Sequence, residues 1–277
     1  MTEKTRVFAD GIAMGESPRW HDGRLWVCDW VAGEVLAFDE SGERQVMLRM
    51  TGLPFSIDWL PGGDAVLTSA AGVVRVGSDG EPTPYGGTGR GWNEIVVDAS
   101  GNTFVNEVGF DLMSGAEPAA GTIAVIRPDG TTLEVAGDVW FPNGMAVTAA
   151  GDTLIVAESY ANRLTAFDIA DDGSLSGRRV WADLGDGAPD GICVDADGAV
   201  WYADVPHRRC MRVAEGGEVL DTVDVDRGCF ACMLGGEDGR TLFIVATDWR
   251  VTQGIEQAER TGQVLSYRAV APHAGRP

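Results

Sequence analysis

Ala149-Ala150-Gly151-Asp152-Thr153-Leu154-Ile155-Val156-Ala157-Glu158 is a small turn followed at once by a run rich in β-branched residues. That is how a strand entered from a tight turn reads. The same pattern occurs five more times, as His21-Asp22-Gly23-Arg24-Leu25-Trp26-Val27, Pro61-Gly62-Gly63-Asp64-Ala65-Val66-Leu67 and Ala99-Ser100-Gly101-Asn102-Thr103-Phe104-Val105. It continues as Ala196-Asp197-Gly198-Ala199-Val200-Trp201-Tyr202 and Glu237-Asp238-Gly239-Arg240-Thr241-Leu242-Phe243. The turn glycines, Gly23, Gly63, Gly101, Gly151, Gly198 and Gly239, lie about 40 to 50 residues apart, the period of propeller blades. Each copy is followed by a second alternating run and a polar turn, such as Ile123-Ala124-Val125-Ile126-Arg127-Pro128-Asp129-Gly130. Alternation of period two with Asp-Gly turns marks antiparallel hairpins. The expectation is an all-β chain, a six-bladed β-propeller over residues 1–277 as one domain. The last copy is short of an outer strand, which Thr5-Arg6-Val7-Phe8-Ala9-Asp10 is expected to supply across the ring closure.

Composition agrees with many short strands. The chain has 38 glycines and nine tryptophans, and 44% of its residues are hydrophobic, enough for a large core. Its formal charge of −21 opposes binding to nucleic acid or an anionic membrane, since both require clustered cations. The first residues carry no apolar signal region and no segment is long and apolar enough to span a bilayer. A cytoplasmic location is expected. Five cysteines, Cys28, Cys193, Cys210, Cys229 and Cys232, show no disulfide framework. Cys229 and Cys232 form a lone C-x-x-C without a second pair or a nearby histidine, so buried structural thiols are expected rather than zinc or redox chemistry.

In a propeller the innermost strand of each blade lines the central channel, so residues just before it converge at one end. Counting back about eight residues from the turn glycine reaches Asn93, Asn143 and Asp190, and counting back seven reaches Glu16. Ser56 and Cys232 fall near the same level in the other two blades. Either Pro142-Asn143-Gly144 or Pro189-Asp190-Gly191 alone reads equally as a turn. Recurrence at one blade offset is what points instead to a site where two carboxylates and two amides meet. Oxygen donors of this kind suit a hard divalent cation, and Glu16 with Asp190 would neutralise it. The ion is open among Ca²⁺, Mg²⁺, Mn²⁺ and Zn²⁺.

At Gly15-Glu16-Ser17-Pro18-Arg19-Trp20, Phe141-Pro142-Asn143-Gly144-Met145, Pro189-Asp190-Gly191-Ile192-Cys193-Val194-Asp195 and Cys232-Met233-Leu234-Gly235-Gly236, the chain resembles the SMP-30/gluconolactonase/LRE (regucalcin-like) family of metal-dependent six-bladed propellers. The resemblance implies that Glu16, Asn143 and Asp190 ligate one divalent ion and that Asp190 is also the catalytic acid and base. It implies substrate binding by an arginine and an asparagine before the third blade. The asparagine is Asn93; the arginine position is Gly91, with Arg90 one residue out of register.

The reaction expected is lactone hydrolysis, in which the cation polarises the carbonyl and Asp190 moves the proton of the attacking water. Trp92 and Trp140 are candidate flat walls at the same rim. Two alternatives stay open. One is a metal-dependent phosphotriesterase of the diisopropylfluorophosphatase kind, since such an ion polarises P=O as well as C=O. The other is a non-catalytic calcium-binding propeller. Three histidines, His21, His207 and His273, supply no evident catalytic dyad, and the sequence has no Gly-x-Ser-x-Gly elbow.

Overall fold

In the computed structural model, which describes residues 5–112, 114–248 and 259–275, the chain is a six-bladed β-propeller, with no helix among the described residues. The first strand is β1 (Arg6–Ile12). Blade one follows as β2 (Gly15–His21), β3 (Arg24–Asp29), β4 (Glu34–Phe38) and β5 (Arg44–Arg49), and blade two as β6 (Ile57–Trp59), β7 (Ala65–Ser69), β8 (Gly72–Val76) and β9 (Pro82–Gly86). Blade three is β10 (Ile95–Val97), β11 (Thr103–Glu107), β12 (Gly121–Ile126) and β13 (Thr132–Val139); blade four is β14 (Pro142–Val147), β15 (Thr153–Glu158), β16 (Arg163–Ile169) and β17 (Leu175–Asp183). Blade five is β18 (Pro189–Val194), β19 (Val200–Asp204), β20 (Arg209–Val213) and β21 (Val219–Asp224). Blade six holds β22 (Gly228–Gly235), β23 (Thr241–Thr247) and β24 (Gly262–Arg268), and its fourth place is taken by β1, paired antiparallel to β24.

The repeated turns do what their residues allow. His21 pairs with Arg24 across the two-residue loop Asp22-Gly23, whose φ angles of 48° and 70° are both left-handed. That is the twist a two-residue hairpin requires, and glycine adopts it without penalty. In the other copies the glycine N–H closes a four-residue turn, as Gly151 N–H does on the Thr148 carbonyl at 2.9 Å and Gly198 N–H on that of Asp195 at 2.9 Å. Asp195 also accepts from the N–H groups of Asp197 and Ala199 through Oδ1. The carboxylate at the end of the Pro189-to-Asp195 motif therefore organises a turn.

Burial is graded outward along each blade. Inner strands such as β18 and β22 are buried along their whole length, while outer strands such as β5 and β13 are mostly exposed. Inner strands packed between two neighbouring blades have no solvent face, so they read as continuous apolar runs. Adjacent blades share cores. Ala146, Ile155 and Leu164 of blade four meet Ile192, Val200 and Tyr202 of blade five, while Val96 and Phe104 of blade three meet Met145 and Leu154 of blade four. Each fully buried Leu, Ile or Phe in these layers contributes about 1.5–3 kcal/mol. The inner strands neighbour one another in the order β2, β6, β10, β14, β18, β22 and back to β2. That closed ring fixes which strand ends share a cavity.

Candidate active site

Four inner strands break their register at the same end, β22 between Cys229 and Ala231 and three others in a common way. Between Glu16 and Arg19 of β2, between Pro142 and Met145 of β14, and between Pro189 and Ile192 of β18, one strand advances three residues while its partner advances two. A bulge of this kind re-aims side chains that regular alternation would send elsewhere. Glu16, Asn143 and Asp190 all line one cavity of about 800 Å³ at this end of the channel, together with Asn93.

The dipeptides Asn143-Gly144 and Asp190-Gly191 lie inside strands, so neither is the hairpin turn that its composition also allows. Their glycines are needed because neighbouring backbones nearly touch. A Cβ on Gly144 would lie 2.6 Å from the Asp190 carbonyl oxygen, and one on Gly191 would lie 2.4 Å from the Ala231 Cβ. Ser17, next to Glu16 and just before Pro18, has φ 48°, a conformation costing about 1–3 kcal/mol for a non-glycine residue. Its hydroxyl holds it there by donating to Glu94 Oε1 at 3.2 Å and accepting from Ile57 N–H at 3.1 Å.

The floor of the cavity is strongly acidic. Glu16 is 6% exposed and Asp190 9%. Burial pushes both carboxyls well above the usual carboxylate range. For Glu16 the charges of Asp190 and Glu94 push further the same way, and for Asp190 that of Glu94 does; the Asn143 side chain and Gly191 N–H pull Asp190 part of the way back by hydrogen bonding. Glu94 is buried too, but it is ion-paired to Arg19, whose Nη2 lies 3.2 Å from Glu94 Oε1 and also donates to the Ile95 carbonyl at 2.7 Å. Three carboxylates face one guanidinium, so a divalent charge balances the floor. Asp190 Oδ1 is buried without a hydrogen-bond partner, a condition that costs free energy unless a proton or cation arrives. Glu16, Asn143 and Asp190 thus form an oxygen donor set able to hold a hard cation. Among the described residues no three His, Cys, Asp or Glu side chains cluster as a metal centre by themselves; this set has two carboxylates and an amide.

The remaining sequence candidates divide. Asn93 lines the cavity, and its Nδ2 donates to the Pro142 carbonyl at 3.3 Å. Trp92 does not line it: the ring is 1% exposed, packs in the core with Val66, Val97 and Ile126, and donates through Nε1 to the Gly87 carbonyl. Arg90 also lies off the cavity wall, with Nε 3.2 Å from Glu107, Nη1 3.5 Å from Glu134, and its guanidinium over Trp92. Trp140 is exposed and outside the lining. Ser56 and Cys232 face neighbouring backbone: Ser56 Oγ donates to the Asn93 carbonyl at 2.8 Å and Cys232 Sγ to that of Gly191 at 3.6 Å. All five cysteines are free and buried, and burial raises their thiols, leaving them inert.

Two groups escape the sequence reading. One is the Arg19–Glu94 pair beneath the floor; the other is a wall of Phe110, Phe141 and Tyr160, whose ring centroids are 4.7–5.8 Å apart. Phe110 belongs to the connection between β11 and β12, and Tyr160 lies two residues past the end of β15, the offset at which Gly109 follows β11 and Pro206 follows β19 in the same lining; counting back from the turn glycines does not reach it.

The sequence matches the SMP-30/Gluconolactonase/LRE-like region over residues 14–248. It is 25% identical to a pentonolactonase of Haloferax volcanii, over 80% of this chain and 84% of that one. It is 24% identical to regucalcin of Xenopus laevis, over 97% and 96%. The fold is similar to that of a calcium-binding protein, regucalcin, from Agrobacterium tumefaciens, with a TM-score of 0.80 at 21% identity, over 99% of this chain and 96% of that one.

Proposed function

The chain belongs to the SMP-30/gluconolactonase/LRE-like family, and we propose that it is a lactone hydrolase assisted by one divalent cation, with Asp190 as general base and then general acid. The observation that carries this reading is the convergence of Glu16, Asn143 and Asp190 on one cavity floor, with Asp190 Oδ1 buried and unpartnered. The relatives named lactonases support the substrate class.

Glu16, Asn143 and Asp190 would hold the ion. When bound, it supplies a Lewis acid that polarises the lactone carbonyl and offsets charge developing on its oxygen. Asp190 takes one proton from water as the water oxygen bonds to the carbonyl carbon. The bond from that carbon to the ring oxygen then breaks, and Asp190 returns the proton to the departing oxygen, releasing a hydroxy acid. Asn93, steadied by its bond to the Pro142 carbonyl, orients the ring. Arg19 pairs with Glu94 beneath the floor and lies off the cavity lining, so it adds no positive charge to the cavity wall.

Ring opening followed by acid release in a pH-stat tests the reading on a panel of lactones, before and after chelation and with Asp190→Ala. Turnover is expected to be lost in both cases and restored to the chelated protein by a divalent cation. Activity surviving both treatments removes the metal-hydrolase assignment.

A further inference from the structure

The cavity has a polar floor and apolar walls. Above Glu16, Asn93, Asn143 and Asp190 the lining is mainly hydrocarbon, including Trp30, Leu53, Phe110, Phe141, Tyr160 and Phe230. Among the described residues no Lys, Arg or His lines it, and four carboxylates do: Glu16, Glu107, Asp111 and Asp190. Arg90, the nearest cation before the third blade, is committed to Glu107 and Glu134.

This chemistry discriminates among lactones. A polyhydroxylated sugar lactone would find wall partners only at Glu107, Asp111, Ser159 and Tyr160, and each hydroxyl set against the hydrocarbon instead is desolvated and unpaired, which weakens binding. A substituent bearing phosphate, sulfonate or carboxylate would meet carboxylates and, among the described residues, no cationic side chain. An apolar substituent instead gains by leaving water for the Phe110–Phe141–Tyr160 wall. A volume of about 800 Å³ accommodates a lactone ring with a sizeable side chain. Phe141 is held in place with φ 52°, two residues before Asn143, its carbonyl accepting from Ser159 N–H at 3.1 Å. The wall is thereby tied to the same strand end that carries a floor residue.

Resting on the lactonase reading above, we infer that the substrate is a neutral lactone bearing an alkyl or aryl substituent, with the ring on the Glu16–Asn143–Asp190 floor and the substituent against Phe110, Phe141 and Tyr160.

The experiment compares kcat/KM for δ-valerolactone, a series of 5-alkyl-δ-lactones of increasing chain length, a phenyl-substituted lactone and glucono-δ-lactone. Each added methylene, over about the first four, is expected to raise kcat/KM roughly threefold, mainly through KM. Phe110→Ala and Tyr160→Ala are expected to reduce the long-to-short ratio by about tenfold each. Tyr160 is 47% exposed, so its truncation leaves the core intact. A flat series, or glucono-δ-lactone preferred over every alkyl lactone, overturns the inference while leaving lactone hydrolysis standing. If no lactone turns over, hydrolysis fails instead, and calorimetric titration of the same alkyl lactones decides the inference alone. Chain-length-dependent binding that Phe110→Ala weakens supports it; absence of binding overturns it.

Discussion

Replacing Gly144 by alanine tests how the floor is assembled. The added Cβ would meet the Asp190 carbonyl oxygen and the Ile192 nitrogen at 2.6 Å each and the Gly191 Cα at 2.8 Å. All three are backbone atoms, which cannot rotate aside as a side chain would. Ordinary contact begins at 3.4 Å, so β14 and β18 must separate locally by about 0.8 Å, an overpacking that costs about 1–3 kcal/mol. The displaced segments carry Asn143 and Asp190, and a misplacement near 1 Å at a reacting group lowers rates by about 10²-fold. Gly62→Ala is the control, because its Cβ would meet nothing within 4 Å and its φ is not left-handed. It is expected to be neutral or to stabilise by up to about 1 kcal/mol. Urea unfolding followed by tryptophan fluorescence reads stability, and calorimetric titration with Ca²⁺ reads the floor. If Gly144→Ala unfolds within about 0.5 kcal/mol of the parent protein and binds the ion equally well, the close approach of these strands does not hold the site together.

Glu16→Gln removes one of the two charges proposed to offset the cation and is expected to weaken divalent-ion binding by about tenfold or more; unchanged affinity in the same titration removes Glu16 from the ligand set. Glu158 offers a pH-dependent test away from the floor. Burial would raise its carboxyl, but hydrogen bonds from Arg163, Thr165 and the Trp140 N–H outweigh burial and hold it below the usual carboxylate range. A group with a depressed folded-state pKa stabilises above its unfolded value of about 4.3 and loses that contribution as pH falls through the folded pKa. Glu158→Gln should therefore cost about 1–3 kcal/mol at pH 7, with the deficit shrinking toward pH 3; a deficit that does not change with pH in urea titrations refutes the assignment.

The blades were legible because a two-residue period and a recurring turn are properties of short segments. Gly151, Gly198 and Gly239 close hydrogen-bonded turns in the structure as their sequence contexts predict. Bulges were not legible. The register slips in β2, β14 and β18 depend on how three strands crowd the channel, and no composition marks them. Gly144 and Gly191 carry the trace of that crowding, but their sequence contexts equally suit a turn.

Counting by blade offset reached Glu16, Asn93, Asn143 and Asp190 because inner strands begin at equivalent heights. It failed at Ser56 and Cys232, which bond to the backbone of a neighbouring blade while Leu53, Pro54 and Phe230 take the places facing the cavity. The error at Trp92 has a simpler origin. On an extended chain successive side chains point to opposite sides, so with Asn93 in the cavity its neighbours Trp92 and Glu94 must turn into the core, and the next cavity position is Gly91, as the lining shows. The same rule places Glu94 under the floor beside Arg19, where the sequence alone suggested no role. Residues before the inner strands could thus be found by counting back, and Tyr160, two residues past β15 as Pro206 is past β19, by counting forward, whereas Phe110 stands on the longer β11–β12 connection, whose path register does not determine. The floor that would carry the chemistry is therefore readable from the repeat. Of the wall, Phe141 is tied to the strand end that carries Asn143, whereas Phe110 and the half-exposed Tyr160 stand outside the strands and can change with less disturbance to a blade, so they are the positions at which the proposed selectivity is tested.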